Sequence, residues 1–430
     1  MKKLILLFVV TLSTSLIINA QWNYINQENT GDYRVIKFNN ESEGWAMGSS
    51  CFIQKTTDGG DTWIQVPCNG TANIEDFQFV NDSVAYCAGW NYVDNVNSEV
   101  LKYDFTNESW NVISSLDSTA ILALHFLDPL TGFIVCGKSI RRTDDGGISW
   151  STVWDASFVG YESAFPRDII FINDSVGFVC GRLKSEDWEL RRVILRTTDK
   201  GENWSVSYLD SIGSSHTIYR LNFVKDNPNF IYASTSSPYF FKTSDCGNSW
   251  EIFGSSIQKE YKPIYFVSAD TGYAAATAMG TYTGGKVPFE IWRTTDGALT
   301  WDLQFVDSAY AQAANSIYFV NDTVGYVAGR QTMLKTENGG ITSGIHLNEG
   351  INNMKVIVYP NPTNNYLNIQ SLNSTNISSI EMFNMQGKLV QSERITNDQN
   401  QVDVRNLEPE VYIVRIYTEK GEVVNKMIKQ

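Results

Sequence analysis

Histidine is scarce in this chain, with 3 among 430 residues, and no Cys/His pair has the spacing of zinc ligands. No metal and no cofactor is therefore expected. Positive charge is also short. There are 33 Lys and Arg against 47 Asp and Glu, a formal charge of −14. That balance argues against nucleic acid and anionic membranes as partners. Beyond the first residues, no stretch is long and apolar enough to span a bilayer. Cysteine is sparse too, with 6 in all, which in an exported chain raises the question of disulfides.

The first twenty residues differ in character. Lys2 and Lys3 precede an apolar run, Leu4 to Val10, and Ala20 offers a cleavage residue. This reads as a secretory signal over residues 1–20. Its removal would bring the mature charge to about −16. No Cys follows the expected cut, so a lipid anchor is not expected.

An eight-residue pattern, S/T-x-D-x-G-x-x-W, then recurs. It stands as Thr56 to Trp63, Thr143 to Trp150, Thr197 to Trp204, Thr243 to Trp250 and Thr294 to Trp301. A degenerate copy runs from Thr336 to Ser343, and Asp104 to Trp110 is a decayed one. The anchors Asp58, Asp104, Asp145, Asp199, Asp245, Asp296 and Asn338 lie 41 to 54 residues apart. A period in the forties with strand-like segments is the mark of propeller blades, and seven anchors predict seven blades over residues 21–343.

The pattern resembles the Asp-box, or bacterial neuraminidase repeat. Its chemistry is local: a short carboxylate accepts from its own turn, Gly permits positive φ, and Trp covers the hairpin. Asp58, Asp145, Asp199, Asp245 and Asp296, with Trp63, Trp150, Trp204, Trp250 and Trp301, are read as structural. One turn per blade distributes them around a rim, where they cannot converge on one substrate.

Each repeat opens with a strand ending in Phe: Phe38, Phe79, Phe126, Phe171, Phe223, Phe266 and Phe319. The preceding position holds Lys37, Gln78, His125, Ile170, Asn222, Tyr265 and Tyr318, six of them polar, opposite an apolar set. One consistent placement is around a central channel. Arg34, Arg167, Arg220 and Lys262 lie near the strand entries. Together, Arg34, Lys37, Gln78, His125, Arg167, Arg220, Asn222, Lys262, Tyr265 and Tyr318 form the expected ligand site, a polar and basic funnel. No catalytic residue is assigned. The long connections, Asn91 to Glu99, Trp154 to Arg167, Arg182 to Arg192 and Ala276 to Phe289, all fall on the same face as that funnel, which makes it the expected binding face. The seventh blade lacks an outer strand, and Trp22-Asn23-Tyr24 is expected to supply it and close the ring.

In the first box, extending the hairpin register pairs residues whose numbers sum to that of Thr56 and Trp63, which sets Cys51 opposite Cys68. That placement allows a bridge between them and equally allows two free thiols. Cys87, Cys136 and Cys180 read as buried thiols, and Cys246 as incidental.

The repeat phrase around Asn173-Asp174-Ser175-Val176-Gly177 and Arg196-Thr197-Thr198-Asp199 resembles the photosystem II assembly factor-like propellers. That resemblance implies fold and a protein-binding habit. Sialidases also carry Asp-boxes, but Tyr33-Arg34-Val35-Ile36 lacks the Pro of their signature and the blade count differs. Xyloglucanases use two such propellers, and this chain has room for one. Asp82-Ser83-Val84, Asp174-Ser175-Val176 and Asp322-Thr323-Val324 resemble the O-glycosylation signal of Bacteroidetes, although turn chemistry explains them equally well.

A polar linker, residues 344–354, leads to a second domain over 355–430. Val356 to Pro362, Tyr366 to Ile369, Met382 to Val390, Val411 to Ile416 and Lys426 to Gln430 resemble the type A C-terminal sorting domain of the type IX secretion system. Glu410 stands where Gly is usual before Val411-Tyr412. The short alternating runs fit a small β-sandwich. The resemblance implies engagement of the type IX machinery and release or display outside the cell. The combined expectation is an all-β chain, a seven-bladed propeller followed by a small sandwich, that binds a protein or glycan. The alternative is a glycan-cleaving hydrolase with a loop-borne carboxylate pair.

Overall fold

The computed structural model describes residues 22–25, 31–91, 97–211, 213, 216–254, 260–277, 289–307, 314–340, 356–359, 363–371, 376–384, 388–395, 401–419 and 421–429. Residues 1–20 and 344–354, with the expected leader and linker, lie outside them. Two compact units are present. One is Gln21–Ile341, and the other carries Thr342–Gln430.

The first unit is a β-propeller of seven four-stranded antiparallel sheets. The innermost strands are Tyr33–Phe38, Asn73–Asn81, Ile121–Phe126, Ser163–Phe171, Ile218–Val224, Glu260–Phe266 and Ala314–Phe319, here of blades 1 to 7. Each touches the innermost strand of the next blade, and that of blade 7 touches that of blade 1. The aromatic residues hold the blades to one another. The second-strand rings of Tyr86, Phe133, Tyr232, Tyr273 and Tyr326 stack on the strand-ending Phe of the following blade. The ring centroids are 3.9 Å apart for Tyr86–Phe126 and for Tyr326–Phe38, and 4.1 Å for Tyr273–Phe319. Such pairs add about 0.5–1.5 kcal/mol each beyond their burial. A side chain at the Gly opening the second strand would collide with the strand-ending Phe of its own blade, since a Cβ at Gly44 would meet the Phe38 ring at 2.4 Å.

The box turns fill the outer part of each interface. In the first, Thr56 Oγ1 donates to Asp58 (2.8 Å) and accepts from the Gly60 N–H (2.9 Å). Asp58 also accepts from the N–H and hydroxyl of Thr62, at 2.9 and 2.6 Å. These bonds hold its carboxyl down at about 2. Trp63 donates to the Gly60 carbonyl at 3.1 Å and meets Phe38 edge-on. The box also bonds to the first turn of its own blade, Gly59 N–H to Ser42 carbonyl at 2.8 Å and Gly146 to Leu130 at 2.9 Å. Both kinds of turn therefore share one face. Gly60, at φ 90°, needs the left-handed region that only Gly enters freely.

Asn23–Tyr24 pairs with Thr332–Thr336 of blade 7 and supplies its outer strand. Trp22 is 3% exposed and lies edge-on to Phe319 at 5.9 Å, as the box Trp does in other blades. Both ends of the unit thus meet in one sheet, and the outer edge of Thr332–Thr336 is paired at Leu334 and Lys335. In blade 1 the register is Gln54↔Gln65 and Lys55↔Ile64. Cys51 and Cys68, beyond this ladder, are disulfide-bonded with Cα atoms 6.1 Å apart. Cys87, Cys136 and Cys180 are buried free thiols, and Cys246 is half-buried.

In the second unit, a three-stranded sheet built on Tyr366–Ser371 and a four-stranded sheet built on Ile377–Phe383 and Val411–Thr418 share one core. It includes Leu367, Ile380, Val402, Val414, Ile416 and Met427. Alternating burial along Val411–Thr418 is the period-two pattern of a half-covered sheet. Tyr412, beside the unusual Glu410, is buried and donates to the Glu408 carbonyl at 2.9 Å. Among the described residues no helix is long and apolar enough to cross a membrane.

Candidate functional site: the channel mouth

All seven innermost strands carry a register shift at the same level, near the entry end. The residues stepped over include Arg34, Glu75, Leu122, Arg167, Tyr219 and Asn315. A bulge removes one ladder partner and re-aims the chain. The N–H groups on the inner edge of these strands have no further strand to bond to, and side chains from the blade before supply several acceptors. Asp76 accepts from the Leu124 N–H (3.2 Å), Asp168 from Leu221 (2.8 Å) and Ser316 from Ile36 (3.2 Å).

The position before each strand-ending Phe faces a central cavity of about 280 Å³. Eight of the ten expected ligand residues line it: Arg34, Lys37, Gln78, His125, Arg220, Asn222, Tyr265 and Tyr318. Most also clamp the next blade. Gln78 accepts from the Phe126 N–H (2.7 Å) and donates to the Phe126 carbonyl (2.9 Å). Asn222 accepts from Phe266 (2.8 Å), Tyr318 donates to the Phe38 carbonyl (2.9 Å), and Lys37 to the Phe77 carbonyl (2.7 Å). His125 lies against Phe171 and Tyr265 against Phe319, at 5.2 and 5.8 Å. Burial, then Lys37, pushes His125 down to about 4, so the imidazole is neutral near pH 7. Burial also raises the Tyr265 phenol, which stays protonated.

The funnel is not basic, which corrects the reading from sequence. Arg34 pairs with Glu75 at 3.1 Å and Lys37 with Asp76 at 2.6 Å, while Arg220 lies 3.7 Å from Asp168. Three cations meet three carboxylates. Burial pushes Asp168 up to about 6, against the pull of Arg220 and the Leu221 N–H. Burial also works against the Arg220 charge, but Asp168, Asp76 and Glu75 outweigh it and raise its pKa. Sequence reasoning missed these acids. A signal existed, since Asp76 and Asp168 stand at the same distance before Phe79 and Phe171.

The remaining two expected residues do not line the cavity. Arg167 lies over the Tyr219 ring at 5.2 Å, at the rim between blades 4 and 5. Lys262 belongs to the strand Glu260–Phe266, and its side chain lies outside the described residues. Of the long connections, most of Asn91 to Glu99 and of Ala276 to Phe289 also lies outside them. Those of blade 4 are described and expose large aromatics. Phe158 is 66% and Trp188 75% accessible.

Residues 357–430 match the secretion system C-terminal sorting domain family. The propeller is similar to the photosystem II assembly lipoprotein Ycf48 of Synechococcus sp. (strain CC9902), 25% identical over 206 residues, which is 47% of this chain and 57% of that protein. The chain therefore spans little more than half the length of the curated relative it matches. Among solved structures, YCF48 from Cyanidioschyzon merolae has a TM-score of 0.52 at 17% identity, covering 74% of this chain and 98% of the other. The extracellular domain of BT4673 from B. thetaiotaomicron has a TM-score of 0.52 at 10% identity, covering 96% of this chain and 59% of that one. Identities this low show the fold alone. The protein is an all-β propeller that ends in a sorting domain for type IX secretion, which directs it to the cell surface.

Proposed function

We propose that this protein is an exported binding module that takes a glycan at the mouth of its channel, on the face of the long blade connections. Residues 1–20 serve as leader, 21–343 as the binding domain, 344–354 as linker and 355–430 as the sorting domain. The observation that carries the reading is the state of the cavity carboxylates. Glu75, Asp76 and Asp168 are each held by a cation, and each accepts at least one further N–H. Acids held this way order a scaffold and are poorly placed to protonate a glycosidic oxygen or activate water. The blade 4 connections expose the rings of Phe158 and Trp188, which suits recognition.

A glycan array probed with the full chain, with hydrolysis followed on every hit, tests this. Binding without cleavage is expected. Cleavage would overturn it in favour of the hydrolase, with Asp168 the first acid to substitute. Silence on every glycan would move the ligand to the protein class.

A further inference from the structure

The bulge positions of the inner strands are equivalent from blade to blade, and neighbours interact across the gap. Between blades 1 and 2 that pair is Arg34 with the Glu75 carboxylate, at 3.1 Å. Between blades 4 and 5 it is Arg167 with the Tyr219 ring, at 5.2 Å. The arginine is retained and the carboxylate is replaced by an aromatic face. Arg167 Nε is buried with no hydrogen-bond partner, and among the described residues no carboxylate comes within ion-pair distance of Arg167.

A second guanidinium stands close. Arg182 pairs across the ladder with Phe165 and lies over that ring at 4.8 Å. Its pKa is lowered, by burial first and by Arg167 next, so two like charges share this place. Two residues along the same strand face, about 7 Å on, Lys184 sits 3.4 Å from the Trp188 ring and 3.1 Å from Glu162. The cationic and aromatic strip thus runs from the channel rim outward to an indole that is 75% exposed.

We propose that this strip is a binding site for an acidic saccharide, in which Arg167 and Arg182 take the carboxylate of a uronic acid and Trp188 stacks on a neighbouring sugar ring. Guanidinium pairs bind carboxylate in a planar, directed way, and Tyr219 in place of a Glu75 equivalent leaves Arg167 without a carboxylate of the protein among the described residues. A flat, exposed indole suits the apolar face of a pyranose. The overall charge of −14 disfavours densely charged polymers, so the ligand carries few charges. The inference rests on the glycan-binding reading and narrows it.

The test is calorimetric titration of the full chain with trigalacturonate and with its methyl ester. The acid should bind, and the ester at least about ten-fold more weakly, the loss of a charge-assisted contact. Arg167→Gln should weaken the acid by a similar factor. Trp188→Ala, exposed and harmless to folding, should weaken acid and ester alike. Equal binding of acid and ester, unchanged affinity in either variant, or no binding of trigalacturonate would overturn the proposal. So would hexaglutamate binding through Arg167 in its place. Binding of neutral glycans alone would remove this inference and leave the glycan-binding function standing, whereas silence on all glycans would remove both.

Discussion

The box turns and the channel mouth both use aspartate, and use it in opposite ways. Asp58, Asp145 and Asp245 lie at the surface and are held down to about 2 by hydrogen bonds from their own turns. Asp168 is 7% exposed, and burial pushes it up to about 6. The first group finds every partner within eight residues, so its ionised form is stabilised before the blades assemble. Asp168 finds Leu221 and Arg220 in the next blade, more than fifty residues away, and loses water to reach them. The same side chain organises a turn in one place and joins blades in the other.

The largest effect should come from breaking the tertiary kind. Asp76→Ala would leave the Leu124 and Phe77 N–H groups and the Lys37 ammonium without their carboxylate. A loss of about 3 kcal/mol is expected in denaturant unfolding, the cost of buried groups left unpaired. A value within a few tenths of wild type would show that water replaces the side chain and that the clamp is unnecessary.

The local kind should be smaller. Thr56 is 1% exposed and accepts from the Gly60 N–H. Thr56→Val keeps the shape, removes that acceptor and should cost about 1–2 kcal/mol. Because seven turns share the work, thermal unfolding should stay cooperative. A separate early transition would mean that one box controls its blade alone.

The subtlest test uses pH. The folded pKa of Asp168 lies above its unfolded value of 3.8, so the folded state binds the proton more tightly. Its contribution is full below about 4 and is lost as pH rises through about 6. The box aspartates run the other way, and theirs is lost only as pH falls toward about 2. Asp168→Asn should therefore flatten the Tm profile between pH 4 and 6 and leave the acid limb below pH 3 unchanged. An unaltered slope between 4 and 6 would assign that slope to other groups.

Much of this was legible in the chain. The box spacing predicts the blades, the absent Trp at Ser343 points to Trp22, and the first hairpin's register brings Cys51 opposite Cys68. The residues around the channel are less legible. Lys37, Gln78, Asn222 and Tyr318 read as a polar ring, yet each is committed to the backbone of the neighbouring blade. The cations Arg34, Lys37 and Arg220 read as a basic funnel, yet Glu75, Asp76 and Asp168 balance them.

The division follows from range. Hydropathy period, turn chemistry and the terminal sorting signal are written in stretches shorter than a hairpin, where a residue's partners are its near neighbours in sequence. The sequence by itself therefore determined the repeat, the box and the nature of the tail. Charge balance at the channel depends on which residues the bulges set face to face across blade boundaries. Only ring closure decides that, giving Arg34 a carboxylate and Arg167 an aromatic ring.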